Sequence, residues 1–205
     1  MSMELDTECG RLGVSLAEIA RYLRMGRRIP DGELAERTLR LRDKAMAAIR
    51  PANVWSRFSI SSGAIASGAV RLDISGTLAR HLDGCRCAYL ACGTLGTGFD
   101  TFHRRVSVSS GADAFIVQAI GAALIERLMD SVEEDICSEL SDGERLIARY
   151  SPGYGTFPLS AQRELLALLD APRTVGVSLT DTMLMAPSKS VSAIIGVKNE
   201  EIITA

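Results

Sequence analysis

The sequence predicts an α+β fold, a single domain with a mostly antiparallel sheet covered by a long helix, plus an N-terminal helical pair. Three observations carry that expectation. Val117, Ile120, Leu124, Leu128, Val132 and Ile136 recur at threes and fours, the buried stripe of a long helix. Short β-rich runs at 69–74, 175–179 and 191–197 are separated by glycine and serine turn signals. Two helical patterns precede Pro51, whose ring stops the second. The expected division is an N-terminal helical segment, 1–52, and a main domain, 53–205.

Taken in order, Ser15 and Glu18 have the spacing of a capping box, and Ile19, Tyr22 and Leu23 follow at helical spacing before Gly26. Pro30, Asp31 and Gly32 open a second helix with a stripe of Leu34, Thr38, Leu41, Ala45 and Ile49. A helix-turn-helix reading with arginines on DNA phosphates is set aside, because the second helix is long and no dimerisation element follows. Serine and glycine at 61–63 and 75–76 flank the strand pattern at 69–74. Cys85, Cys87 and Cys92 tempt toward a metal site with His81. On a strand, however, the first two point to one face and the third to the other, so small packing residues are expected and no metal. The glycine-rich run 93–98 lacks a Walker lysine and the G-x-G-x-x-G order, and reads as a strand-to-helix turn. His103 reads as a surface histidine. Ser110 and Asp113 start the long helix, Ser160 caps a later one that Pro172 ends, and Met183, Met185 and Pro187 read as packing between strands.

Composition bounds the function. The chain has 205 residues, of which 47% are hydrophobic, enough for a sizeable core. Its formal net charge of -2 argues against a nucleic-acid binder, although the stretch from Arg21 to Arg50 is locally basic. The N-terminal residues are acidic and lack the pattern of a signal peptide, and the uncharged apolar run 114–125 is too short to span a bilayer. A cytoplasmic protein is expected, with its five cysteines reduced.

The stretch 149–158, Arg-Tyr-Ser-Pro-Gly-Tyr-Gly-Thr-Phe-Pro, reads as a built loop. Its prolines fix φ and its glycines accept positive φ or close approach. Arg149 offers a planar fork suited to a carboxylate, Tyr154 a ring with a polar tip, and Gly153 an uncovered main chain. Together they suit a small zwitterion. The alternative is a tight connection whose arginine pairs with a neighbouring acid.

The pattern Arg149-x-x-x-Gly153-Tyr154, then Pro158, a helix, and Thr180, Pro187, Ser190, Val191 and Ser192 at the matching spacing, resembles the activation domain of cobalamin-dependent methionine synthase. The resemblance implies that Arg149, Ser151, Gly153 and Tyr154 bind S-adenosylmethionine. Glu126 falls on the family's acidic position, where a carboxylate meets the ligand's ammonium group. It further implies a free-standing reactivation module that presents a methyl group to cobalamin held by a partner, a cobalamin-binding methionine synthase subunit or other corrinoid protein, with a flavodoxin-like electron donor. No catalytic residues are implied, since a reduced cobalt nucleophile needs only a positioned donor. His81 to Gly84 carries the tail of a corrinoid signature whose acidic position here holds Ala79, so no corrinoid is assigned to this chain. The C-terminal region 198–205 lacks the family's ligand-contacting tyrosine, and Ile203 stands near that place. A non-catalytic S-adenosylmethionine sensor or scaffold is the alternative function.

Overall fold

The computed structural model describes residues 12–26 and 28–199. The chain divides into two compact units, one drawn from Met1–Ala52, Thr94–Ser131 and Ala186–Ser190, the other from Asn53–Gly93, Val132–Met185 and Val191–Ala205.

The first unit is mainly helical. Helix α1, Leu16–Tyr22, starts at the expected capping box: the Glu18 amide donates to Ser15 Oγ (3.2 Å) and the Ser15 amide to the Glu18 carboxylate (2.7 Å). Those bonds hold the Glu18 carboxyl below its ordinary range. Helix α2, Gly32–Ala48, buries Thr38, Leu41 and Ala45 but leaves Leu34 37% exposed, so the apolar stripe begins one turn later than its sequence pattern suggests. Strands β1 (Ala52–Ser61), β2 (Ala64–Ser67) and β3 (Val70–Asp73) and a short helix α3 (Gly76–His81) come next in sequence and, from Asn53 on, belong to the second unit. The first unit resumes with helix α4, Thr97–Ser109, and the start of helix α5, Gly111–Ser138. Glycines let α2, α4 and α5 approach closely. A Cβ on Gly98 would collide with the Ala48 carbonyl, and one on Gly121 would enter the Phe99 ring. Arg37 Nε lies 2.5 Å from Asp113 Oδ1, tying α2 to the start of α5. His103 is half-buried and stacks parallel to Phe99 with centroids 6.3 Å apart, which corrects the expected surface histidine.

The second unit holds a six-stranded sheet ordered β3-β2-β1-β4-β8-β5. Strands β1, Ala52–Ser61, β2, Ala64–Ser67, and β3, Val70–Asp73, pair antiparallel, with Ile60 opposite Ile65 and Ile65 opposite Leu72. Helix α3, Gly76–His81, follows, then β4, Cys87–Thr94. Strand β8, Ser190–Asn199, pairs antiparallel with β5, Glu144–Leu146. Strands β6, Ser178–Leu179, and β7, Met185–Ala186, form a separate two-stranded ribbon. The sheet's core includes Ile65, Leu72, Leu78, Leu90, Cys92, Phe157, Leu165 and Ile194. Gly196 is needed there, because a Cβ would lie 2.8 Å from Cys85 Sγ, Ile147 Cδ1 and Leu82 Cδ2.

Two expectations are corrected here. The helix after the 149–158 loop is α6, Gln162–Leu168, preceded by a 3-10 turn at Leu159–Ala161, and Ser160 makes no cap. Pro172 does not merely end that helix; it sits in the first turn of a further short one, α7, Ala171–Thr174, where its missing amide costs nothing. The α+β class, the mostly antiparallel sheet, the long helix and the N-terminal helical pair all appear as expected.

Strand β4 begins only at Cys87, so Cys85 precedes it, and Cys85 packs against the core cluster that includes Cys92. Cys92 is buried, and desolvation pushes its thiol up to about 12, while Cys85 and Cys87 are half-buried. Arg57 donates to both Glu144 carboxylate oxygens and, through its Nη2, to Cys87 Sγ at 3.1 Å; its guanidinium lies 5.8 Å from the Tyr89 ring centroid. Among the described residues no group of three or more histidine, cysteine, aspartate or glutamate side chains is placed to hold a metal ion, and no helix is long and apolar enough to cross a membrane. Cys9 and Ile203 lie outside the described residues.

Candidate functional site

The loop 149–158 leaves strand pairing and turns three times within itself. Tyr150 is still bridged to Ile194 of β8, with the amide of each donating to the carbonyl of the other at 2.9 and 2.8 Å. The Tyr154 amide then donates to the Ser151 carbonyl (3.2 Å), the Phe157 amide to the Tyr154 carbonyl (3.0 Å), and the Gly153 amide back to the Phe157 carbonyl (3.0 Å). Gly153 stands at φ 91, a value that excludes other residues without strain, and a Cβ there would meet Leu159. Phe157 is buried in the core of the second unit and pins the far end of the loop. An aromatic cluster fills the space beneath. Tyr150 packs against His81 (centroids 4.8 Å), Tyr154 (5.9 Å, edge-on) and Phe157 (6.4 Å).

Arg149, Ser151, Gly153 and Tyr154 are thus brought together on one rigid turn. Tyr154 is 59% exposed, although its backbone is fully engaged, so the loop holds a large ring out to solvent at a fixed place. Arg149 Nε lies 3.1 Å from Glu133 Oε1, both side chains being less than a third exposed. Glu133 is therefore drawn to the base of the loop rather than left on a solvated helix face. Glu126 is half-buried on α5, two helical turns before Glu133, and lies in the first unit, whereas the loop lies in the second. The heptad spacing between the two acids was the available signal that both share a helix face.

His81 holds the loop's base, its Nε2 lying 2.7 Å from the Ala148 carbonyl.

Residues 123–201, which contain Glu126, Glu133, the whole loop and strand β8, match the family model for the vitamin B12 dependent methionine synthase activation domain. The activation-domain resemblance is borne out. A solved structure of the MetH reactivation domain bound to AdoHcy aligns with a TM-score of 0.60 at 17% identity, covering 85% of this chain and 70% of that one. That likeness shows the fold. No curated protein matches the chain. The activation-domain match spans α5 from Ala123 through β8, so the loop, the helix that supplies its acid and the strand that bridges Tyr150 all fall within one family unit of sequence.

Proposed function

We propose that this chain acts as a reactivation module for cobalamin-dependent methionine synthase, binding S-adenosylmethionine and presenting its methyl group to cobalamin held by a partner. The observation that supports this most is the pairing, on one backbone-locked loop inside the activation-domain match, of a guanidinium with a solvent-facing tyrosine ring. The ligand is a zwitterion with a flat base and a sulfonium, and the residues present fit it. Arg149 takes the carboxylate with a charge-assisted fork, sharing its guanidinium with Glu133. Glu126 is assigned to the ammonium group only by its coincidence with the family's acidic position. Ser151 and Gly153 offer polar main chain at a turn, and the exposed Tyr154 ring forms a wall on which the donor lies.

S-adenosylmethionine, held by Arg149, Ser151, Gly153 and Tyr154, would supply a methyl group on positively charged sulfur, the electron pair of its carbon–sulfur bond staying on the neutral thioether left behind. A cobalamin on a partner, reduced by one electron from its inactive form by a separate donor such as a flavodoxin-like protein, would supply the electron pair for the new carbon–cobalt bond. The chain's own residues hold the donor still, aim its methyl side outward and keep water from the gap, which is the whole catalytic task when the nucleophile is this strong. The division into a helical segment, 1–52, and a ligand-binding domain, 53–205, belongs to this proposal, as does residence in the cytoplasm with the methionine synthase it serves.

Calorimetry tests the ligand claim. Arg149→Ala is expected to weaken S-adenosylmethionine by about 1.5–3 kcal/mol, the range for a hydrogen bond to a charged group. Unchanged affinity removes the assignment. The methyl-transfer claim is tested by adding the chain to a methionine synthase lacking its activation domain, poised as cob(II)alamin with a reductant, and following methylcobalamin by its spectrum. Formation that needs both the chain and S-adenosylmethionine, and that slows in Tyr154→Ala at saturating ligand, is expected. Tight binding with no methylcobalamin supports a sensor instead.

A further inference from the structure

We propose that Thr77 is a positioning residue whose side chain sets the shape of the 149–158 loop; the inference rests on that loop being the ligand site. Thr77 occupies the first turn of α3, where helix amides have no partner within the helix and a cap side chain ordinarily serves them. Ser75, at the cap position, makes no such bond. The service comes from the loop instead. The Thr77 amide donates to Thr156 Oγ1 at 3.1 Å, and the Thr156 amide donates back to Thr77 Oγ1 at 3.1 Å. This is the reciprocal arrangement of a capping box, built between segments 79 residues apart.

The same hydroxyl is used twice more. Tyr150 donates its phenol proton to Thr77 Oγ1 at 2.5 Å, and Thr77 Oγ1 donates its own to the Tyr154 carbonyl at 3.3 Å. One oxygen thus accepts from two groups and donates to a third, its full capacity. Those three partners lie at the start, the middle and the end of the loop. Steric fit closes the arrangement. Gly76, at φ 57, would place a Cβ 2.5 Å from Thr156 Oγ1, and Gly155, at φ 55, would place one 2.5 Å from Thr77 Oγ1. Two glycines in the left-handed region therefore allow helix and loop to touch at their main chains. No other polar side chain on α3 reaches three points of the loop. Thr77 thus holds the Tyr154 carbonyl together with the Phe157 amide (3.0 Å) and the Tyr150 hydroxyl (3.2 Å), and it is the member of that set that also ties in Thr156, so the turn that carries Ser151 and Gly153 depends on it.

The experiment uses the intact chain, with S-adenosylhomocysteine as a stable probe, well below the melting temperature. Thr77→Val keeps the shape and removes both hydrogen-bonding roles; Thr77→Ser restores them. In the free protein, exchange of the Thr156 amide is expected to quicken at least tenfold in Thr77→Val, because its acceptor is gone, and to return to within about twofold of wild type in Thr77→Ser. Probe affinity is expected to fall about five- to tenfold in Thr77→Val and to recover in Thr77→Ser. A role in stability alone would lower the melting temperature without moving affinity, and that result overturns the proposal. So does a Thr156 amide whose exchange is unchanged. Arg149→Ala, run beside them, keeps the two readings apart: if it leaves binding intact, the ligand assignment fails while the exchange data still report on Thr77. Should Thr77→Val not fold, Tyr150→Phe removes one arm of the same triangle and must shift both readouts in the same direction.

Discussion

Replacing Gly155 by alanine tests how tightly the loop is built. Two costs follow from the structure. Gly155 stands at φ 55, and an L-residue in the left-handed region costs about 1–2 kcal/mol. The added Cβ would also lie 2.5, 2.8 and 3.0 Å from Thr77 Oγ1, Cγ2 and Cβ, so Thr77 must turn away. That turn gives up its bonds to Tyr150, Tyr154 and Thr156, worth about 1 kcal/mol apiece at most in an exposed setting. Gly143 provides the control. It has φ 79 and nothing within 4 Å of a Cβ, so Gly143→Ala carries the first cost without the second. The two variants also share the entropy change that alanine brings to the unfolded chain. Guanidinium chloride unfolding can be followed by Trp55, the chain's single tryptophan, which packs edge-on to Tyr89 at 5.7 Å within the same unit. Gly155→Ala is expected to lose about 1–3 kcal/mol more than Gly143→Ala. Equal losses would refute the close contact between loop and helix.

Two further outcomes follow from ionisation. Cys92, buried and with its thiol pushed up to about 12, is expected to resist iodoacetamide in the native protein, while the exposed Cys137 is alkylated; mass spectrometry of the modified peptides checks this, and early labelling of Cys92 would contradict its burial. The Glu144 carboxyl is held below its ordinary range by hydrogen bonds from Arg57 and then from the Ser141 amide, so its contribution to stability is present above the unfolded value of 4.5 and lost as pH falls through the folded one. Glu144→Gln should therefore flatten the acid limb of stability below pH 4.5, measured by denaturant midpoint, and an unaltered slope would show that the Arg57 pair is not formed in solution.

Much of this architecture is legible because its signals are local. The stripe from Val117 to Ile136 is buried residue for residue, and the Ser15–Glu18 box forms as spaced, since both depend on neighbours three or four positions away. The loop's frame is legible for the same reason, its prolines and glycines stating their own backbone needs. What escapes the sequence is whatever a distant segment decides. Glu133 looks like any acid on an exposed helix face until the fold brings Arg149 beside it. Thr77 reads as part of a serine-glycine turn, and nothing nearby announces that its partners begin at Tyr150. Pro172 misleads because the same ring that ends one helix suits the first turn of another. The first unit joins 94–131 to the N-terminal helices, a grouping that periodicity within each stretch cannot reveal.

The two outer strands of the sheet have a bearing on how this protein meets others. An edge strand presents open amides and carbonyls, and a long apolar one invites a second chain to extend the sheet. Here β3 has four residues and β5 three, and each carries charge on its rim: Arg71 and Asp73, paired at 2.8 Å, on one, and Glu144 and Arg145 on the other. Such rims offer a passing strand few hydrogen bonds and an unfavourable loss of hydration. Self-association through backbone pairing is thereby discouraged even when the chain is concentrated. The exposed Tyr154 ring, by contrast, offers a partner a side chain rather than a strand edge.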